Sequence, residues 1–264
     1  MAISLSPSVV TRLEKVATDN GFDRELPRDA GWLSFASTQA PLRIWVTAAG
    51  EDQFLVAFSQ SNVARSLSAD QPVGENAPPP LGAQGATAVA DIPTLHRIVR
   101  RAFQLSKSLP DELLHVFERR TAALPRTTEV ERLVVQRVGQ EVFREGLIDY
   151  WDGRCAVTGL SVVTLLRASH IKPWAACASD AERLDVFNGF LLAPNLDAAF
   201  DRGLITLSDD GGVVVSDKLR SVDRQVLGLE VPLRVSRVDD SHRRYLSFHR
   251  MHVFENESDG RSRL

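Results

Sequence analysis

The spacing of apolar positions changes several times along the chain, and each change marks a new element. After Ser8, the residues Val9, Val10, Leu13, Val16 and Ala17 recur at helical spacing and predict a short amphipathic helix closed by Asn20-Gly21. From Trp32 the pattern shortens to runs of strand type, Trp32 to Phe35, Leu42 to Thr47 and Phe54 to Phe58. These predict a small β-containing module over residues 1–70. Its aromatic positions Trp32, Phe35, Trp45, Phe54 and Phe58 read as core. A base-stacking pocket built from them is the alternative.

Residues 71–91 are rich in proline, glycine and alanine with no period, and read as a linker. Residues 92–264 form the second part. A helix is expected from Ile92, with Pro93 in its first turn, towards Ser106, and another over about 111–122. Thr128 and Glu131 are spaced as a capping box for a third. Behind them Val130, Leu133, Val134, Val138, Val142, Phe143 and Leu147 follow at helical spacing up to Tyr150. Gly139, mid-helix, is expected to mark close approach by another backbone.

Beyond Tyr150 the elements become short. Cys155 to Leu160 reads as a hairpin, and Val162 to Leu166 as an apolar strand ending in the polar group Arg167 to His170. Pro173 then stops regular structure. A second apolar run begins at Asn188, and Pro194 opens a short helix closed by Gly203. The order strand, loop, strand, helix places an imidazole (His170), an amide (Asn188) and two carboxylates (Asp197, Asp201) at the ends of neighbouring elements.

Composition narrows the classes. An apolar share of 44% with 25% charged residues is that of a folded globular protein. No apolar run reaches the ~18 residues of a membrane span, and the N-terminus lacks the pattern of a signal peptide, so a cytoplasmic protein is expected. Two cysteines, Cys155 and Cys177, cannot supply a four-thiolate zinc site, and no structural zinc is expected. The net charge of −3 offers no global attraction to nucleic acid, yet lysine and arginine outnumber acids between His96 and Arg144. Arg137 and Arg144 in that stretch are candidate phosphate contacts, as are Arg167 and Lys172 beside His170 and the later His249-Arg250.

The segment from Cys155 to Leu207 resembles the HNH endonuclease family. From Asn188 to Asp197 it reads N-x-x-L-L-x-x-x-x-D, where that family commonly ends in histidine. Flanking residues extend the likeness over roughly 128–255 towards one bacterial, restriction-type subgroup. Upstream are Arg137-x-Gly139-Gln140-x-x-Phe143-Arg144 and Cys155-Ala156-Val157-Thr158-Gly159. Downstream are Phe200-Asp201-Arg202-Gly203 and Tyr245-Leu246-x-x-His249-Arg250. The resemblance leaves the first half of the chain unexplained and implies a C-terminal ββα-metal nuclease domain, finger 155–207; together with the β-containing N-terminal module and the helical middle segment read above, this makes an α+β chain. The resemblance also implies a DNA endonuclease of restriction or host-defence type acting on double-stranded DNA, with a homodimer as the expected assembly.

The implied chemistry assigns roles. Phosphodiester hydrolysis needs a base for water, and His170 stands at the family's base position. A divalent cation neutralises charge on the leaving oxygen, and Asp197 stands at the helix ligand position, with Asp201 or His170 as further ligands. Aspartate in place of histidine favours Mg²⁺ or Mn²⁺. Asn188 is the brace of the loop that holds the base. Many family members carry an aspartate or histidine ligand directly before the base; here Ser169 leaves the cation one ligand short. A catalytically degenerate, DNA-binding or regulatory finger is the alternative reading.

Overall fold

The structure is a computed structural model that describes residues 5–29, 31–50, 53–67, 78–125 and 127–256. The chain divides into two compact units, Met1–Leu109 and Pro110–Leu264.

In the first unit, α1 (Pro7–Asp19) is capped by Ser6, whose side chain accepts from the Val9 amide, and it buries Leu13, Val16 and Ala17. It leads into a five-stranded antiparallel sheet in the order β1 (Arg24–Asp29), β2 (Trp32–Ala36), β3 (Arg43–Ala48), β4 (Phe54–Phe58) and β5 (Gly85–Val89). A short α2 (Ser61–Ser66) follows β4. α3 (Ile92–Ser108), capped by Asp91, lays Leu95, Val99, Ala102 and Leu105 into the core and contacts β4 and β5. The expected aromatic positions are all buried, with Trp32 and Trp45 clustered on Leu55, Ala57 and Ala86.

The expected linker is corrected here. Residues 71–77 lie outside the described residues, but Gly85–Val89 forms a full ladder with β4, and α3 packs on the same sheet. The division therefore falls at Leu109/Pro110 and not before residue 92. Gly85 and Ala86 lie opposite Phe58 and Ala57 in the ladder.

In the second unit α4 (Pro110–Thr121) packs on α5 (Glu129–Tyr150). The capping box forms: Thr128 Oγ1 accepts from the Glu131 amide at 3.2 Å, and the Glu131 carboxylate accepts from the Thr128 amide at 2.8 Å. Val142, Phe143, Gly146, Leu147 and Tyr150 are buried, whereas Val130, Leu133 and Val134 are exposed. The apolar run is thus two faces and not one. Val134 and Phe143, nine residues and about two and a half turns apart, point to opposite sides of the helix. At Gly139 the close neighbour is an indole: a Cβ there would lie 2.7 Å from the Trp174 ring, so the contact is with a side chain and not with a backbone.

β6 (Arg167–His170) and β7 (Gly189–Leu192) form an antiparallel pair, and α7 (Pro194–Asp201) contacts β6. Between them lie a one-turn 3₁₀ segment, Trp174–Ala176, the short α6 (Asp180–Arg183) and a second 3₁₀ turn, Val186–Asn188. The expected strand over Val162 to Leu166 is absent; the ladder starts at Arg167. Successive turns, Leu165 N to Val162 O and Leu166 N to Val163 O, coil that stretch, and Val162, Val163 and Leu165 remain exposed. Cys155 to Leu160 is a tight turn closed by Cys155 N to Leu160 O at 2.8 Å. The hairpin β8 (Ile205–Leu207) with β9 (Val213–Val215), then α8 (Ser221–Leu227) and α9 (Asp240–His252), complete an α+β unit. No described helix is long and apolar enough to cross a membrane.

Candidate active site

The loop from Ile171 to Phe187 carries no long element, so its shape depends on side chains that satisfy its backbone. Asn188, fully buried, does most of this. Its Oδ1 accepts from the Lys172 amide at 2.8 Å, while Nδ2 faces the carbonyls of Lys172 and Glu182, each at 3.2 Å, and Cys177 Sγ at 3.4 Å. Arg183 pins the other end, donating to Cys177 O at 2.9 Å, Asp180 Oδ1 at 3.0 Å and Trp174 O at 3.4 Å. Asp185 ties the loop to α9 by accepting from Tyr245 Oη at 2.8 Å and Arg244 Nη2 at 2.6 Å, and its other oxygen caps the Phe187 amide. Both cysteines are free and buried.

This frame holds His170 at the end of β6. Nε2 lies 2.8 Å from Arg183 O. A carbonyl only accepts, so Nε2 carries the proton and the lone pair resides on Nδ1. The ring stacks on Phe143 at 3.8 Å between centroids and 20° between planes, with the Trp174 edge at 5.5 Å. Gly189, the partner of His170 in the ladder, makes this possible, because a Cβ there would collide with the Phe143 ring. Burial lowers the imidazole to about 4, against a smaller opposing effect of the Arg183 carbonyl. His170 is therefore neutral at pH 7, with a free basic nitrogen.

Strand alternation sends Ser169 to the opposite face, towards α7. Its hydroxyl donates to Asp197 Oδ1. Asp201 follows one turn later, and its carboxyl is pushed up to about 6, first by burial and then by the charge of Asp197, although the residue itself is exposed. Two mutually repelling carboxylates on one side of a short helix are hard oxygen donors suited to Mg²⁺ or Mn²⁺. Among the described residues no group of three His, Cys, Asp or Glu stands ready for a metal, so such a cation would take its remaining ligands from water or phosphate oxygens. The contacts of His170 are with Phe143, Trp174 and the Arg183 carbonyl, and Ser169 is the β6 residue that touches Asp197.

The expected phosphate contacts divide. Arg167 is exposed and shares the Ser169 face of β6, and Arg137 is exposed on α5. The other four already have partners within the chain. Arg144 donates to Leu166 O at 2.6 Å and Val163 O at 2.9 Å, and Lys172 pairs with Glu182 at 2.7 Å. Arg250 donates to Leu207 O at 2.8 Å and pairs with Asp209 at 2.7 Å. His249 is core: it stacks on Phe200 at 4.0 Å, and its nitrogens meet Thr206 Oγ1 at 2.9 Å and Phe200 O at 3.2 Å. Phe143, Trp174, Arg183 and Asp185 shape the site and were not expected in it. Only Phe143 carried a signal, through its place in the motif before Arg144.

The two buried histidines make a stability prediction. Burial also lowers His249 to about 4, whereas unfolded imidazoles titrate near 6.5. Acid thus protonates the unfolded chain first. Stability is full above about 6.5 and falls between about 6.5 and 4 by roughly 3 kcal/mol per histidine. Asp201 acts oppositely but is exposed and weaker. Urea unfolding at pH 7.5 and 4.5 should show the decline, and equal midpoints would contradict it.

Residues 155–208 match the family model described as HNH endonuclease. A search of curated proteins returned no match. The match begins at Cys155 and ends just past β8, so it covers the β6–β7 pair, the loop braced by Asn188, and α7 with both aspartates. Residues 155–208 are thus similar to the HNH endonuclease family.

Proposed function

We propose that this chain is a metal-dependent endonuclease that hydrolyses phosphodiester bonds in duplex DNA, of restriction or host-defence type. One observation carries the reading. The Arg183 carbonyl holds the proton of His170 on Nε2, leaving Nδ1 basic one residue along β6 from the Ser169–Asp197 contact. His170 takes the proton from the attacking water. Asn188 keeps the loop, and with it the Arg183 carbonyl, in place. Asp197 and Asp201 would hold a divalent cation, which supplies charge neutralisation at the leaving oxygen. Arg167, exposed on the Ser169 face, contacts substrate phosphate. The N-terminal unit selects the target.

In this reading cleavage requires Mg²⁺ or Mn²⁺ and stops in EDTA. Asp197→Asn removes one of two anionic donors, so it should abolish the metal-binding heat in calorimetry together with cleavage. Cleavage in EDTA, or an unchanged heat in Asp197→Asn, would refute the assignment. A second reading has its own support: with no third protein ligand among the described residues, a degenerate finger would bind DNA and show no metal heat at all.

A further inference from the structure

The outward side of α5 carries apolar residues that the unit's own core does not use. Val130, Leu133 and Val134 are 69%, 53% and 44% exposed and form a patch over its first two turns. A second patch lies alongside the helix further on. There Arg144 grips the carbonyls of Val163 and Leu166, and the loop so held exposes Val162, Val163 and Leu165 at 49%, 36% and 50%. Between the patches stand Arg137 and Glu141, both exposed and one turn apart. Positions 130, 134, 137, 141 and 144 recur at spacings of three and four, so they share one side of the helix, away from Gly139 and Phe143, which face Trp174 and His170. Among the described residues Arg137 forms no ion pair. Glu141 lies in the field of Arg120, whose guanidinium is already bonded to Glu145.

We propose that this strip is a self-association surface on which a second copy of the chain docks with its α5 antiparallel. The order along the strip is apolar, basic, acidic, apolar. Turned end for end about a two-fold axis level with position 139, it complements itself. Arg137 of each subunit then faces Glu141 of its partner, and each Val130–Val134 patch meets the other subunit's 162–165 loop. Such a contact is isologous, with the same surface used twice, as closed dimers require. The strip is poorly suited to other partners. A nucleic acid or anionic lipid surface would draw on an excess of cations, whereas the central pair here is neutral. Joining apolar patches of this kind removes them from water, and the charge pair fixes direction.

The surface goes beyond the nuclease reading and is tested without DNA or metal, so its failure leaves that reading untouched. Sedimentation equilibrium of the full chain at micromolar concentration should give a dimer. Leu133→Glu combined with Val134→Glu should give a monomer whose far-UV circular dichroism matches that of the parent chain, because both positions are exposed in the single chain. Arg137→Glu alone, or Glu141→Arg alone, places like charges together and should weaken the dimer by roughly tenfold or more. Combining the two reversals restores it. A wild-type chain that stays monomeric, or a dimer indifferent to the Leu133/Val134 changes, would overturn the proposal. So would single reversals that the double reversal does not repair.

Discussion

His170→Ala is expected to slow phosphodiester hydrolysis by roughly 10²–10⁴-fold, the usual contribution of a positioned general base, while duplex binding survives. The imidazole Nε2 is committed to the Arg183 carbonyl and one ring face to Phe143. Neither contact involves Arg167, the exposed cation on the other face of β6, so phosphate binding does not pass through the imidazole. Because burial holds the group near 4, the neutral base is present well below neutral pH. The acid limb of the cleavage profile should therefore lie towards 4 and not near 6.5. His170→Gln, which keeps volume and hydrogen bonding but has no basic nitrogen, should be as inactive as the alanine variant.

Phe200→Ala is expected to cost about 3–5 kcal/mol of stability, the range for a large buried aromatic. Phe200 sits on α7 between Asp197 and the end of the helix, 1% exposed, with the His249 ring stacked at 4.0 Å and the Phe190 edge at 5.9 Å. Its own carbonyl accepts from His249 Nε2. Removing the ring leaves α7 without the contact that joins it to α9 and β7, and both aspartates ride on that helix. A fall in the urea midpoint should thus be accompanied by weaker Mn²⁺ binding even below the unfolding transition. A midpoint unchanged from the parent chain would show that α7 is anchored elsewhere.

Much of the candidate site could be read from the chain because its residues are set by short-range spacing. Asn188 and Asp197 lie nine positions apart, across a strand and the first turn of a helix, and Pro194 marks where one ends and the other begins. The capping box at Thr128 and Glu131 is equally local. What could not be read depends on which face an element turns inwards. Val130, Leu133 and Val134 have the same helical spacing as Val142, Phe143 and Leu147, yet the first set is exposed and the second buried, since nothing in periodicity says where a partner lies. The run Val162 to Leu166 looked like a strand because its residues favour one. It is coiled because Arg144, some twenty positions earlier, occupies the carbonyls that a ladder would need. β5 failed the other way: a glycine- and alanine-rich stretch of low strand propensity became a strand because β4 offered a free edge and α3 covered it. His249 and Arg250 illustrate the same limit for charge, since a basic residue near a site in sequence can be fully used inside the fold.

Whether His170, on the strand packed against the two-aspartate helix, is the base for phosphodiester hydrolysis can be measured with supercoiled duplex DNA incubated at neutral pH with Mn²⁺ and either the parent chain or His170→Ala, both shown to be folded. Nicked and linear products are expected with the parent chain and none with the variant on the same time scale. Equal cleavage by the two proteins would contradict that role.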